Sequence, residues 1–186
     1  MQLERFLILD RDGVINEDSD DYIKSEAEWV PIPGSLEAIA ELTHAGFRIV
    51  VVSNQSGLAR GLFDLGSLNR MHRKLRESAY LLGGQIEMVM FCPHAPHEGC
   101  LCRKPRLGLF REIGDRTGLI LRGLPFVGDS LTDIQAARLV GMEPILVKTG
   151  KGARTLAQGG AALDGVAIFD DLKSVSEELI CRWGSS

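Results

Sequence analysis

Six short runs of apolar, largely β-branched residues recur along the chain, at 6–9, 49–52, 86–91, 124–127, 144–147 and 166–169. Each is nearly continuous rather than alternating, the pattern of a strand covered on both faces, because period-two alternation needs one face in water. Helical spacings of apolar residues run between them. Leu36, Ile39 and Leu42 lead to Gly46, and Leu65, Leu68, Leu75, Ala79 and Leu82 lead to Gly83; further helical patterns cover 107–116, 131–140 closed by Gly141, and 172–183. Strands alternating with helices in this way predict an α/β fold, a parallel sheet with helices on both faces. No repeat, low-complexity tract or linker interrupts the pattern, and 186 residues suffice to bury a core, so 1–186 is expected to be a single domain.

In an open parallel sheet a ligand sits beyond the carboxyl ends of the strands. Polar clusters follow four of the apolar runs: DRDG at 10–13, SNQSG at 53–57, CPHAPHEGCLCRKP at 92–105 and GDSLTD at 128–133. Four clusters on one edge of one sheet predict a single site. The rest of the chain limits what that site can serve. The net charge is −4 with no basic block, which leaves no electrostatic footprint for nucleic acid, and no segment approaches a membrane span. The N-terminal MQLERFLILDRDG mixes acid and base, lacks a small-residue cleavage site and runs straight into candidate chemistry, so no targeting peptide is expected. Three cysteines gathered in one loop suit a reducing cytoplasm better than a secreted disulfide framework.

Asp10 and Asp12 flank Arg11, and Gly13 permits a tight turn after them. With Asp129 arriving from another strand, the donors are all hard oxygens, the set that Mg²⁺ takes beside phosphate. If Mg²⁺ and Lys104 neutralise a phosphoryl group, Asp10 can attack phosphorus and form an aspartyl phosphate. Asp12 is then placed to protonate the leaving oxygen and later to deprotonate the attacking water. The Ser53 hydroxyl and nearby backbone N–H groups would hold the non-bridging oxygens. Arg60 and Lys148 are each open to two readings, a second phosphate contact or an ordinary surface cation.

The loop at 92–105 carries Cys92, His94, His97, Cys100 and Cys102. A redox pair would be C-x-x-C near a helix N-terminus, which the closely spaced CLC is not. Zinc takes four soft or borderline ligands in a tetrahedron, and Cys92, His94, Cys100 and Cys102 supply one such set, with His97 the rival imidazole. Four protein ligands leave no open coordination position, so the zinc would be structural and would fix Arg103 and Lys104 against the substrate. Cys181, beside Ile180 and Trp183 in a helical pattern, is expected to pack in the core.

Taken together, LDRDGVIN, VVSNQSG, the lysine of CRKP and VGDSLTD resemble, in order and spacing, the four motifs of haloacid-dehalogenase-like (HAD) phosphatases, a likeness covering most of the chain. The resemblance implies a Rossmann-like, HAD-like fold, capless because no cap-sized insertion follows either of the first two motifs. It implies Asp10 as nucleophile, Asp12 as acid and base, and Mg²⁺ held by Asp10, Asp12 through its carbonyl, and Asp129. Ser53 and Lys104 would steady the phosphoryl group, and Asp133 would orient the metal shell or Lys104. More narrowly, SNQSGLARG and the Cys-x-His…Cys-x-Cys loop running into RKP resemble a zinc-bearing branch of the family, whose members act on phosphorylated heptoses or histidinol phosphate. This likeness implies Zn²⁺ on Cys92, His94, Cys100 and Cys102, and sugar contacts at Asp18, Tyr22, Asn54, Gln55, Ser56 and Arg103. The sequence departs from that branch twice: Ser130 follows Asp129 where relatives often carry lysine, and EDSDDY at 17–22 is longer and more acidic than usual.

The expectation is a monomeric, cytoplasmic, Mg²⁺-dependent phosphatase of a small phosphorylated sugar, a heptose bisphosphate first and histidinol phosphate as the alternative, with no nucleic-acid or membrane partner. A zinc-stabilised binding module is the alternative from another class; the presence of Asp10, Asp12, Ser53, Lys104 and Asp129 together argues against it.

Overall fold

The computed structural model describes residues 5–184. Its six strands are β1 (Phe6–Leu9), β2 (Arg48–Asn54), β3 (Ile86–Cys92), β4 (Pro125–Gly128), β5 (Glu143–Val147) and β6 (Ala167–Phe169), and they form one parallel sheet in the order β3-β2-β1-β4-β5-β6. The helices are α1 (Ser35–His44), α2 (Leu65–Leu81), α3 (Gly108–Thr117), α4 (Leu131–Val140), α5 (Gly152–Gln158) and α6 (Leu172–Gly184).

The continuous apolar runs are explained by two cores, one on each face. Leu7 and Leu9 of β1, with Ile49 and Val51 of β2, pack against Leu36 and Ile39 of α1, Leu68 and Leu75 of α2, and Val175 and Leu179 of α6. The alternate residues Phe6, Ile8, Val50 and Val52 pack against Leu109, Phe110 and Ile113 of α3 and Ala136 and Ala137 of α4. Every residue of β1 is buried, because it has neighbours in the sheet on both sides and helices above and below.

Three details differ from the sequence reading. The β2 and β3 ladder extends past the apolar runs, pairing Ser53 with Phe91 and Asn54 with Cys92, so residues of two polar clusters lie side by side in the sheet. α5 carries too little apolar periodicity to be read from sequence; tertiary contacts support it, including a hydrogen bond of 2.8 Å from the Thr155 hydroxyl to the Asp129 carbonyl. Cys181 is exposed on α6 instead of packing in the core, and Leu65 and Leu82, counted in the apolar stripe of α2, are exposed at its ends. No helix among the described residues is long and apolar enough to cross a membrane.

Strand order positions the site. From β1 the chain goes to β2 and β3 on one side, and β4 to β6 lie on the other, so the topological switch point falls between β1 and β4. Loops diverge there and leave a crevice at the strands' carboxyl ends.

Candidate active site and metal loop

Asp10 follows β1 and Asp129 follows β4, one on each side of that crevice, and the Asp10 N–H donates to the Val127 carbonyl at 2.9 Å. Gly13 turns the chain back at a positive φ of 80°. A Cβ on Gly13 would lie 2.0 Å from Asp129 Oδ2, and one on Gly150 would lie 2.3 Å from the same atom, so both glycines make room for the carboxylate. Asp133, in the first turn of α4, faces the same point. Carboxylate oxygens of Asp10, Asp129 and Asp133 all lie within 4.8 Å of one another, and all three side chains are buried.

Lys104 enters this cluster from the loop after β3. Its ammonium lies 2.9 Å from Asp10 Oδ1 and 2.7 Å from Asp133 Oδ1, and it donates to the Val52 carbonyl at 2.7 Å. Three acids around one lysine leave an excess of negative charge in a desolvated place. Burial pushes Asp10 well above the usual carboxylate range; Lys104 opposes the shift, while the charges of Asp133 and Asp129 add to it. Asp129 is pushed up to about 7 by burial and by Asp133, against the Lys151 N–H that it accepts. Lys104 stays charged: burial works against the ammonium, but Asp10 and Asp133 hold its pKa above the usual lysine value. A buried cluster of hard oxygen donors whose ionisation is suppressed by mutual repulsion is suited to a small divalent cation, and the donor set fits Mg²⁺.

The Asp12 carboxylate is turned out of that cluster. Arg11 grips it with Nη2 at 2.8 and 2.9 Å and Nε at 3.0 Å, and Asn16 and Gln55 each donate to it at 2.8 Å. Burial disfavours its charge, but the Arg11 guanidinium and these hydrogen bonds outweigh burial and hold its pKa below the usual value. Arg11 is itself buried, with its remaining contacts to Gln55 Oε1 at 3.2 Å and His72 Nε2 at 3.3 Å. Burial and the Arg11 charge push His72 down to about 3, so the ring is neutral and can accept from the guanidinium.

These side chains open onto a cavity of about 440 Å³, a size suited to a phosphorylated sugar. Of the sequence-predicted contacts, Asp18, Tyr22, Ser53, Asn54, Gln55, Ser56 and Arg103 all line it. Two of them work mainly inside the protein. The Asn54 amide pairs with the Lys104 backbone, accepting from N at 3.0 Å and donating to O at 3.2 Å. Gln55 Nε2 donates to Asp12 and, at 2.7 Å, to Ser53 Oγ. Ser130 caps α4: its hydroxyl and N–H donate to Asp133 Oδ2 at 2.5 and 3.1 Å, which aims the other oxygen at Lys104.

Neither cation left open by the sequence lines this cavity. Lys148 pairs with Asp170 on the surface at 2.7 Å, and Arg60 lies over the Tyr22 ring at 5.8 Å. Besides Lys104, the lysine that lines the cavity is Lys151, 2.7 Å from Asp18. It follows the β5 apolar run in the segment KTGKG, so the rule that located the other clusters could have found it. Nothing in the sequence marked His72 or gave a role to Asn16, though Asn16 ends the LDRDGVIN motif, because both act through contact with Arg11 or Asp12.

In the cysteine loop, Cys92 at the end of β3 lies 3.5 Å from Cys100 and 3.2 Å from Cys102 between sulfurs, and His94 Nδ1 lies 3.6 and 3.2 Å from Cys92 and Cys102. These separations are too long for disulfides and near the tetrahedral edge of about 3.8 Å that follows from Zn–S bonds of about 2.3 Å. Burial, then contact with Cys102, pushes the Cys92 thiol up to about 12, so a metal would have to displace its proton. His97 is exposed on a short 3₁₀ turn outside the cluster.

Fold and site together define a phosphohydrolase of the HAD class, and residues 101–175 match the HAD-hydrolase-like family model. Over 174 residues, 94% of this chain and 97% of the relative, the sequence is 55% identical to the D-glycero-β-D-manno-heptose-1,7-bisphosphate 7-phosphatase of Pseudomonas aeruginosa. It is 50% identical over 176 residues, 95% of this chain and 98% of the relative, to the enzyme of the same name from Bordetella bronchiseptica. The crystal structure of D,D-heptose 1,7-bisphosphate phosphatase from B. bronchiseptica, complexed with magnesium and phosphate, superposes with a TM-score of 0.92 at 49% identity, covering 96% of this chain and 99% of that one. The chain belongs to the heptose-1,7-bisphosphate 7-phosphatase family of HAD-like hydrolases.

Proposed function

We propose that this chain removes the 7-phosphate of D-glycero-β-D-manno-heptose 1,7-bisphosphate through a phosphorylated Asp10. The observation that carries the reading is the buried group of Asp10, Asp129 and Asp133 around Lys104, at the switch point of the sheet. The β-anomer is favoured because the relatives that align over nearly the whole chain carry it in their names. Mg²⁺, held by Asp10, Asp129 and the Asp12 carbonyl, would supply charge neutralisation at the phosphoryl oxygens, with Asp133 beside it. Lys104 and Ser53 orient the phosphoryl group against Asp10 and accommodate its charge. Asp12 supplies the proton to the leaving sugar oxygen. The approaching phosphoryl charge favours its protonated form, while the grip of Arg11 restores the carboxylate that then takes a proton from the attacking water.

Zn²⁺ on Cys92, His94, Cys100 and Cys102 would cross-link the loop that carries Arg103 and Lys104, and the spacing of the four ligand atoms supports this. Asp18, Tyr22, Ser56 and Arg103 face the sugar. The reading is completed by a monomer in the cytoplasm and by a single domain, the last supported by the one continuous sheet with its helix-covered faces.

The test is turnover on a panel of both heptose 1,7-bisphosphate anomers and histidinol phosphate with saturating Mg²⁺. The expected order in kcat/KM puts the β-anomer first; a higher value on histidinol phosphate would reject the substrate. Asp10→Asn should lose on the order of 10³-fold or more in kcat, and wild-type turnover in that variant would reject the nucleophile.

A further inference from the structure

We propose that Lys151 receives the second, non-reacting phosphate of a bisphosphorylated sugar, and that Asp18 occupies its place in the free enzyme. The proposal rests on the reading of the site as a sugar-bisphosphate phosphatase and names a specificity residue within it.

A substrate with two phosphates needs two anion sites, and the inner cluster has donors for only one. All three hydrogens of the Lys104 ammonium are engaged, by Asp10, Asp133 and the Val52 carbonyl. Arg11 is engaged by Asp12, Gln55 and His72 and does not line the cavity. The other cations lining the cavity are Arg103 and Lys151. They stand on opposite sides of the reacting acids: Arg103 follows β3 and Lys151 follows β5, with β1 and β4 between those strands.

Lys151 differs from Arg103 in what it holds. Arg103 makes a long contact of 3.5 Å to the His94 carbonyl, whereas Lys151 Nζ holds an oxyanion, Asp18 Oδ2, at 2.7 Å within the cavity wall. An ammonium already paired with a carboxylate there can exchange it for a phosphate oxygen, which carries more charge. The backbone beneath the lysine is fixed: its N–H donates to Asp129 Oδ2 at 2.7 Å, and the neighbouring Thr149 hydroxyl donates to the Gly13 carbonyl at 2.6 Å. The side chain can therefore be displaced on its four-carbon stem without moving the Asp129 contact. Asp18 belongs to the unusually acidic segment 17–22, which has a second tie to α5 through Asp20 and Arg154 at 3.5 Å. Phosphate binding at Lys151 would release Asp18 from its ion pair, while the Asp20–Arg154 contact would still hold the segment.

The experiment measures kcat/KM on paired bisphosphate and monophosphate sugars, the heptose pair and fructose 1,6-bisphosphate against fructose 6-phosphate, and takes their ratio. In Lys151→Met the preference for the bisphosphate should fall about 10- to 100-fold, mainly through KM, and Lys151→Arg should restore much of it. In Asp18→Asn, which breaks the same ion pair but keeps the cation, the preference should persist. Equal losses in Lys151→Met and Asp18→Asn would show that the pair only braces the loop and would overturn the proposal. It would also be overturned by a wild-type enzyme with no bisphosphate preference, or by a preference lost in Arg103→Met but kept in Lys151→Met. A wild-type enzyme that prefers fructose 1,6-bisphosphate over the heptose would reject the substrate reading alone, and the same ratio would still decide the role of Lys151.

Discussion

Asp129 carries two opposing demands, and its ionisation can be followed by experiment. Its carboxyl is pushed up to about 7 by burial and by Asp133, whereas an unfolded chain releases that proton near pH 4. In the absence of divalent metal the folded state therefore holds the extra proton between those values. The stabilisation from this group is complete below pH 4 and is lost as pH rises toward and through about 7. Denaturant midpoints in Mg²⁺-free buffer should show this decline, Asp129→Asn should flatten it, and added Mg²⁺ should stabilise the protein more at pH 8 than at pH 5. Equal stabilisation by Mg²⁺ at both pH values would contradict the assignment of Asp129 to the metal. Asp12 is the contrasting case, an acid held ionised by Arg11 in the same site. Arg11→Met should lower kcat about 10- to 100-fold with a smaller change in KM, since a charge-assisted fork on Asp12 is lost while the cavity lining is retained. An unchanged kcat would remove Arg11 from any role in positioning Asp12.

The element that differs most from a plain α/β connection is the segment between β3 and α3. It folds back so that Cys100 and Cys102 meet Cys92 at the end of the strand, and the residues immediately beyond enter the site as Arg103 and Lys104. Asn54 ties the same segment to β2 through the Lys104 backbone. Metal analysis of the purified protein should give about one zinc per chain, and a folded Cys100→Ser/Cys102→Ser variant should bind none. If the zinc positions Lys104, that variant should also lose kcat on every phosphate ester, not on sugar bisphosphates alone. Loss of zinc with full turnover would reduce the loop to a stabilising clip. The cysteine spacing made this element legible in sequence. α5 was not legible, because GARTLAQ has no apolar stripe and its Thr155 hydroxyl is held by the carbonyl of Asp129, 26 residues away in the chain.

At the scale of the molecule, the two cores hold β1 and β4 in register so that Asp10 and Asp129 face one another across the crevice. Phe110 of α3 packs edge-on against Phe126 of β4, with ring centroids 5.5 Å apart, and both are buried. Phe110→Ala should destabilise the protein by about 3–5 kcal/mol in urea titration, with a change below 1 kcal/mol marking a site that collapses without a cavity. The sequence by itself determined the alternation of strand and helix, the double covering of the sheet, and the chemistry gathered at its carboxyl edge. Those properties are written in local periodicity and in motifs a few residues long. Only the tertiary structure decided that the Asp12 carboxylate turns to Arg11 while Asp133 joins the acids, that Asn54 and Gln55 brace the site, and that Lys151 rather than Lys148 faces the cavity. Each of those outcomes depends on which distant groups meet in a desolvated space, where charge repulsion and the need to pair every buried donor select one arrangement.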